Sequence, residues 1–208
     1  MKYVCIVLLL SLASNLTGHA GEFNPDINIG DAMPTWKNLP GADGKDHSAA
    51  DLKDAKAVVV VFTCCSCPYA VDAEDRLVAL AKRCKEKGVA MVAFNVNKIA
   101  EDLLPSMKKR AKEKEFSFPF LFDETQKIAK AFGARYTPES FVFDAQRKLA
   151  YMGSLDDSPD GRNVKKKFVE EALEAVLSGS KLELTETVPI GCRIRFDRVR
   201  RTRKVREK

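Results

Sequence analysis

Three cysteines crowd into four positions in the stretch Phe62-Thr63-Cys64-Cys65-Ser66-Cys67-Pro68-Tyr69. A thiolate is the attacking species in disulfide exchange, and two thiols three residues apart on a turn can meet to close and reopen a disulfide. Cys67 directly precedes Pro68, and proline favours the first position of a helix, so Cys67 is expected at the helix cap. Unpaired backbone N–H groups and the positive end of the helix dipole stabilise an anion there, which lowers a thiol pKa. Cys67 is thus the candidate attacking group and Cys64 the candidate resolving partner. Adjacent cysteines rarely bridge without strain, so the role of Cys65 stays open.

The remaining cysteines stand apart. Cys84 falls on an apolar helical stripe and reads as a small core residue. Cys192 lies in Val188-Pro-Ile-Gly-Cys192-Arg-Ile-Arg, past the last expected helix, where a distant resolving cysteine and a free thiol are both open readings. A zinc site would want a second Cys/His pair at suitable spacing, and beyond the N-terminal leader the sequence offers one histidine, His47, read as a surface residue. A copper site of paired cysteines plus histidine fails for the same reason. No metal and no cofactor are expected.

The elements that must position these thiols follow from periodicity. Ala57-Val-Val-Val-Val-Phe62 is a continuous apolar run, the pattern of a strand buried on both faces. A helix from about 68 to 87 follows, with Ala70, Ala73, Leu77, Leu80, Ala81 and Cys84 on its inner face and Asp72, Glu74, Asp75 and Lys82 facing away; Gly88 stops it. Val89 to Val96 reads as a second buried strand, giving a β-α-β unit with parallel strands and the cysteines at its carboxyl edge, where α/β folds bind ligands. Helical patterns at 100–114 and 124–132 follow, the second opened by a capping-box-like Asp123-x-x-Gln126 and closed by Gly133. Strands at 141–143 and 149–152 form a hairpin, and a last amphipathic helix is expected over 163–178. Ahead of all this, Ile29–Leu39 and Lys45–Leu52 read as extended pieces of a covering segment around a Gly41-to-Gly44 turn.

The chain opens with one lysine, an apolar stretch from Tyr3 to Ala13, and the small-residue sequence Gly18-His19-Ala20, the pattern of a secretory signal peptide cleaved after Ala20. Cys5 would leave with it, and the protein is expected to be exported, periplasmic or secreted. The formal charge of +6 is a tail property: residues 193–208 carry nine Lys/Arg against two acids. The expected organisation is a signal peptide at 1–20, one domain at 21–192 and a disordered basic tail at 193–208. That tail could contact anionic surfaces by charge alone, while export argues against nucleic acid as a partner.

From about Ile29 to Ala175 the pattern resembles the thioredoxin superfamily, in its redoxin branch of alkyl hydroperoxide reductase/thiol-specific antioxidant proteins and tethered thiol reductases. The resemblance rests on the strand ending in Phe62 before Cys-x-x-Cys-Pro, on Phe118-Pro-Phe-Leu-Phe-Asp123, on Thr137-Pro138, and on Pro189-Ile-Gly-Cys192. It implies an α/β thioredoxin fold: a central mixed β-sheet flanked by helices, with an N-terminal extension and a helical insertion. It also implies a cis Pro138 facing the reactive cysteine, so that Thr137 and Pro138 form a substrate-binding wall. The sequence departs from the pattern in three places. Counted from Phe62, Cys67 takes the place of the first thioredoxin cysteine and Ala70 that of the second, so Cys64 precedes the aligned nucleophile. The acid that precedes the strand phenylalanine in thioredoxins is Val61 here, and the proline and threonine ahead of a peroxiredoxin cysteine are replaced by Val60 and Cys64.

The function expected is thiol–disulfide oxidoreduction by Cys67, resolved by Cys64 or Cys192, on protein or small-molecule disulfides with a thiol electron donor. The alternatives are a thiol peroxidase acting on peroxides and a non-catalytic binding module of the same fold.

Overall fold

The computed structural model describes residues 21–198, so the leader expected at 1–20, Cys5 within it, and the basic residues from 199 onward lie outside the described residues. In chain order the elements are β1 (Leu39–Pro40), β2 (Asp46–His47), a 3-10 turn (Ala49–Leu52), β3 (Val58–Phe62), α1 (Pro68–Lys87), β4 (Ala90–Asn95), a 3-10 turn (Ala100–Asp102), α2 (Leu104–Glu113), β5 (Phe120–Phe122), α3 (Lys127–Ala131), β6 (Tyr136–Thr137), β7 (Glu139–Phe143), β8 (Leu149–Gly153), α4 (Phe168–Ser178) and β9 (Cys192–Arg193).

The central sheet runs β5-β4-β3-β7-β8, with β3, β4 and β5 parallel and β7 and β8 antiparallel to their neighbours. This is the mixed sheet expected from the sequence, and α2 is the helical insertion between β4 and β5. β3 is central, and its side chains alternate between two cores. Val59 and Val61 face α1 and α4, while Val58, Val60 and Phe62 face an aromatic cluster with Phe94, Phe132, Phe141 and Phe143. The N-terminal segment covers that second core, and Trp36 meets the Phe94 ring edge-on at 4.9 Å.

Several boundaries differ from the sequence expectation, each for a local reason. In the covering segment β1 and β2 pair with each other, and single bridges tie Ala32 to Lys148 and Gly41 to Leu121; beyond them the Asp51 carboxylate accepts from the Ser48 N–H and bends the chain into a turn. The 100–114 pattern is two pieces, because Leu103 is extended and Pro105 must sit in the first turn of α2, where its missing N–H costs nothing. At α3 the capping box does not form. Asp123 caps by accepting from the Ile128 N–H at 2.7 Å and the Thr125 hydroxyl accepts from the Lys127 N–H at 3.3 Å, while Gln126 takes a left-handed conformation and turns its amide to Val96 and Arg195. The last helix starts at Phe168 and not 163, because Asp157 accepts from the N–H groups of Lys165 and Lys166 and holds that stretch as a loop.

The packed chain continues through Asp197, past the boundary expected at Cys192. Ile194 is buried against the aromatic core, and the backbone of Arg195 and Asp197 bonds to Asn97 and Gln126. Cys84 is buried on α1 in the core facing it. Glu74, expected to face solvent, is buried: Arg110 of α2 grips its carboxylate with two hydrogen bonds of 2.6 and 2.7 Å.

Candidate active site

β3 ends at Phe62 and α1 begins at Pro68, so the cysteines occupy the loop at the carboxyl edge of the sheet. Cys67 is the N-cap of α1, in extended conformation, with Pro68 in the first turn. Its carbonyl accepts the first helical bond, from the Val71 N–H. The loop is held from outside. Asp102, fully buried, accepts from the N–H groups of Cys65 and Ser66 at 2.8 and 2.9 Å and from the Ser66 hydroxyl at 2.6 Å. One carboxylate thus fixes two backbone donors that would otherwise be orphaned between Cys64 and Cys67.

The far wall comes from β6. The Thr137–Pro138 bond is cis. The Cys67 sulfur lies 3.1 Å from the Thr137 carbonyl, to which the protonated thiol donates, and the Thr137 hydroxyl lies 3.5 Å from the Cys64 sulfur. β9 pairs antiparallel with β6, placing Cys192 opposite Thr137. Cys64 and Cys67 are each 3 % exposed, and Cys192, half-buried, packs against them.

Electrostatics single out one sulfur. The Cys64 thiol donates to Cys67 and thereby lowers the Cys67 pKa to about 4; burial opposes this, while the Cys192 thiol and the Ala70 N–H add to it. The same hydrogen bond, helped by burial, pushes Cys64 far above the usual thiol range. Cys65 is pushed up to about 12 by burial and by the Asp102 charge, and Cys192 up to about 11 by burial and its bond to Cys67. Cys67 is therefore the most readily ionised thiol of the site, while Cys64, Cys65 and Cys192 are held protonated.

Sequence reasoning missed two buried acids here. Asp102 sat in a stretch read only as helical, and nothing in its spacing marks it. Glu139, immediately after Pro138, is 3 % exposed and accepts from the N–H groups of Arg135 and Tyr136 at 2.7 and 2.9 Å, which braces the chain entering β6. Burial pushes its carboxyl from the ordinary 4.5 up to about 7. The folded state therefore keeps a proton that the unfolded chain releases. This contribution to stability is full below about pH 4.5 and declines as pH rises to about 7. Glu139→Gln is expected to flatten that decline in urea-unfolding midpoints measured on either side of the window. An unchanged slope would place the pH dependence in other groups.

A mixed sheet flanked by helices, with a cysteine at the N-cap of α1 and a cis-proline wall opposite, defines an oxidoreductase of the thioredoxin superfamily. Residues 29–152 match the AhpC/TSA family, and the chain belongs to it. Among solved structures it is similar to a hypothetical protein of Sinorhizobium meliloti 1021, at 34% identity over 81% of this chain and 94% of that one, with a TM-score of 0.76. It is equally similar in shape to an uncharacterized conserved protein of Geobacillus kaustophilus, at 36% identity over 81% and 92% of the two chains, also with a TM-score of 0.76. The thiol-disulfide oxidoreductase ResA of Bacillus cereus is 28% identical over 148 residues, covering 70% of this chain and 82% of that protein.

Proposed function

We propose that this protein is an exported enzyme that exchanges disulfides, with Cys67 as the attacking thiolate and Cys64 as the resolving thiol. The observation that carries the reading is the seating of Cys67 at the cap of α1 with Cys64 buried beside it against Thr137, where Cys67 is the easier of the two to ionise and Cys64 the harder. Cys67 attacks one sulfur of a substrate disulfide; a Cys67–substrate disulfide forms and the other substrate sulfur departs as a thiolate, which takes a proton. Cys64, once deprotonated, attacks the Cys67 sulfur, closes a Cys64–Cys67 disulfide and releases the second substrate thiol. A thiol donor then reduces the enzyme again. Thr137 and Pro138 form the wall against which the substrate lies, and Cys192 is the alternative resolving thiol. The low pKa of Cys67 also makes it a good leaving group, so the closed disulfide is readily reopened. Export rests on the leader read at 1–20.

The test compares two oxidants on the reduced protein, with alkylation and peptide mapping of the products. Cys67 is expected to react with a model disulfide faster than a free thiol does at neutral pH, yielding a Cys64–Cys67 disulfide. Its reaction with hydrogen peroxide is expected to be no faster than that of a free thiol. Rapid oxidation by peroxide together with sluggish exchange would replace this reading with the peroxidase one.

A further inference from the structure

We propose that residues 191–194 are a tethered pseudo-substrate: they occupy the β6 edge in the manner of an incoming polypeptide, and their sequence describes the segments this enzyme accepts. The inference rests on the disulfide-exchange reading and adds to it a substrate class, extended polypeptide segments carrying Gly-Cys followed at the second residue by an aliphatic side chain.

The site is closed as it stands. Cys67 is 3 % exposed, and the strand bearing Cys192 lies across it. Little of Cys67 is open to an external sulfur while β9 is seated, yet β9 itself brings a cysteine side chain to Cys67 by pairing Cys192 with Thr137 and Arg193 with Tyr136. Strand addition of this kind fixes an extended segment through its backbone and reads alternate side chains.

Three neighbouring positions set the rule. At residue 191 an added Cβ would meet the Thr137 carbonyl oxygen at 2.2 Å and its carbon at 2.6 Å, both backbone atoms that cannot swing aside. Only glycine fits before the cysteine. Arg193 points outward, its guanidinium 5.9 Å from the Tyr136 ring centroid, so that position is permissive. Ile194 is 6 % exposed and packs with the aromatic core, while its N–H donates to the Arg135 carbonyl at 2.8 Å. An apolar side chain is required there.

The attachment suits release. Upstream, the segment is moored outside the cleft. The Thr187 N–H donates to the Met152 carbonyl, the Thr187 hydroxyl meets Tyr151 and the Ser154 N–H, and the Ser154 hydroxyl contacts Val188 and Ile190. Downstream it is held by polar bonds from Asn97 and Gln126. Val188 and Ile190 are 55 % and 41 % exposed, so the apolar burial that opposes lifting of residues 191–194 is that of Ile194.

The experiment uses the full chain and its Gly191→Val variant, with disulfide-linked dimers of peptides containing Gly-Cys-Arg-Ile, Val-Cys-Arg-Ile or Gly-Cys-Arg-Asp, and a small aromatic disulfide as control. A closed state whose open form is a minor population depresses the apparent rate by that population, so the variant is expected to react with the Gly-Cys-Arg-Ile peptide about 10-fold faster or more. In the unmodified chain, the valine and aspartate peptides are expected to lag the Gly-Cys-Arg-Ile peptide about 10-fold. This comparison decides the matter alone should the variant not fold. Equal rates for all three peptides would overturn the proposal, as would a folded variant that gains nothing. Failure of the small disulfide to react with any form would instead overturn the disulfide-exchange reading itself.

Discussion

Replacing Cys67 by serine is expected to cut disulfide-exchange turnover at least about 100-fold while leaving the fold intact. With a pKa of about 4, Cys67 is fully ionised at neutral pH, whereas Cys192 at about 11 is ionised only about one part in 10⁴. High-pKa thiolates are intrinsically better nucleophiles, which returns about three of those four powers of ten. The rest of the loss is positional. Among the described residues no other sulfur sits at the cap of α1 with a second buried cysteine beside it, and without Cys67 the closing step loses its intramolecular character. Serine is close to cysteine in size and favours an N-cap, so unfolding midpoints should barely move. In the parent, the alkylation rate of Cys67 should be flat through neutral pH and fall only as pH descends through about 4. A variant that keeps a tenth or more of the parent's turnover would sink the assignment, and unaltered biological activity in such a variant would favour the non-catalytic reading.

The second large effect is on stability. Arg110→Ala is expected to cost about 3 kcal/mol, at the lower end for breaking a buried ion pair, because the Arg110 side chain is 27% exposed and partly hydrated. What the substitution leaves behind is the Glu74 carboxylate, 4% exposed, with only Lys114 at 3.7 Å to balance it. Urea denaturation of the reduced protein measures the loss. The double variant Glu74→Leu with Arg110→Met should recover most of it, since removing both charges also removes the buried, unpaired one. A double variant as unstable as the single would show that the pair's geometry, and not its desolvation, dominates.

Much of the fold was legible in the sequence because its strongest signals are periodic. Five consecutive apolar residues in β3, the stripe of α1 and the Gly88 stop each follow from local chemistry. Proline after Cys67 marked the cap of α1, and the family resemblance carried by Thr137-Pro138 implied the cis peptide that the structure shows. What escaped was polar and non-local. Glu74 sits at a helical position that looks solvent-facing until α2 supplies Arg110, 36 residues away. Asp102 closes the cysteine loop across a comparable separation, and no spacing rule encodes it. The docking of residues 192–197 was hidden by their charge: a run rich in arginine reads as solvated tail, while Ile194 and the backbone do the binding.

The position of Trp36 gives the protein an optical handle. The sequence contains a single tryptophan, and it is 5 % exposed, edge-on to Phe94, whose ring stacks on Phe62 at the end of the strand that leads into the cysteines. All indole fluorescence therefore arises at one contact, on the sheet face opposite α1. Its emission colour reports whether the N-terminal cover is seated, and it does so without touching a sulfur, so folding can be followed in every cysteine variant with the native chromophore.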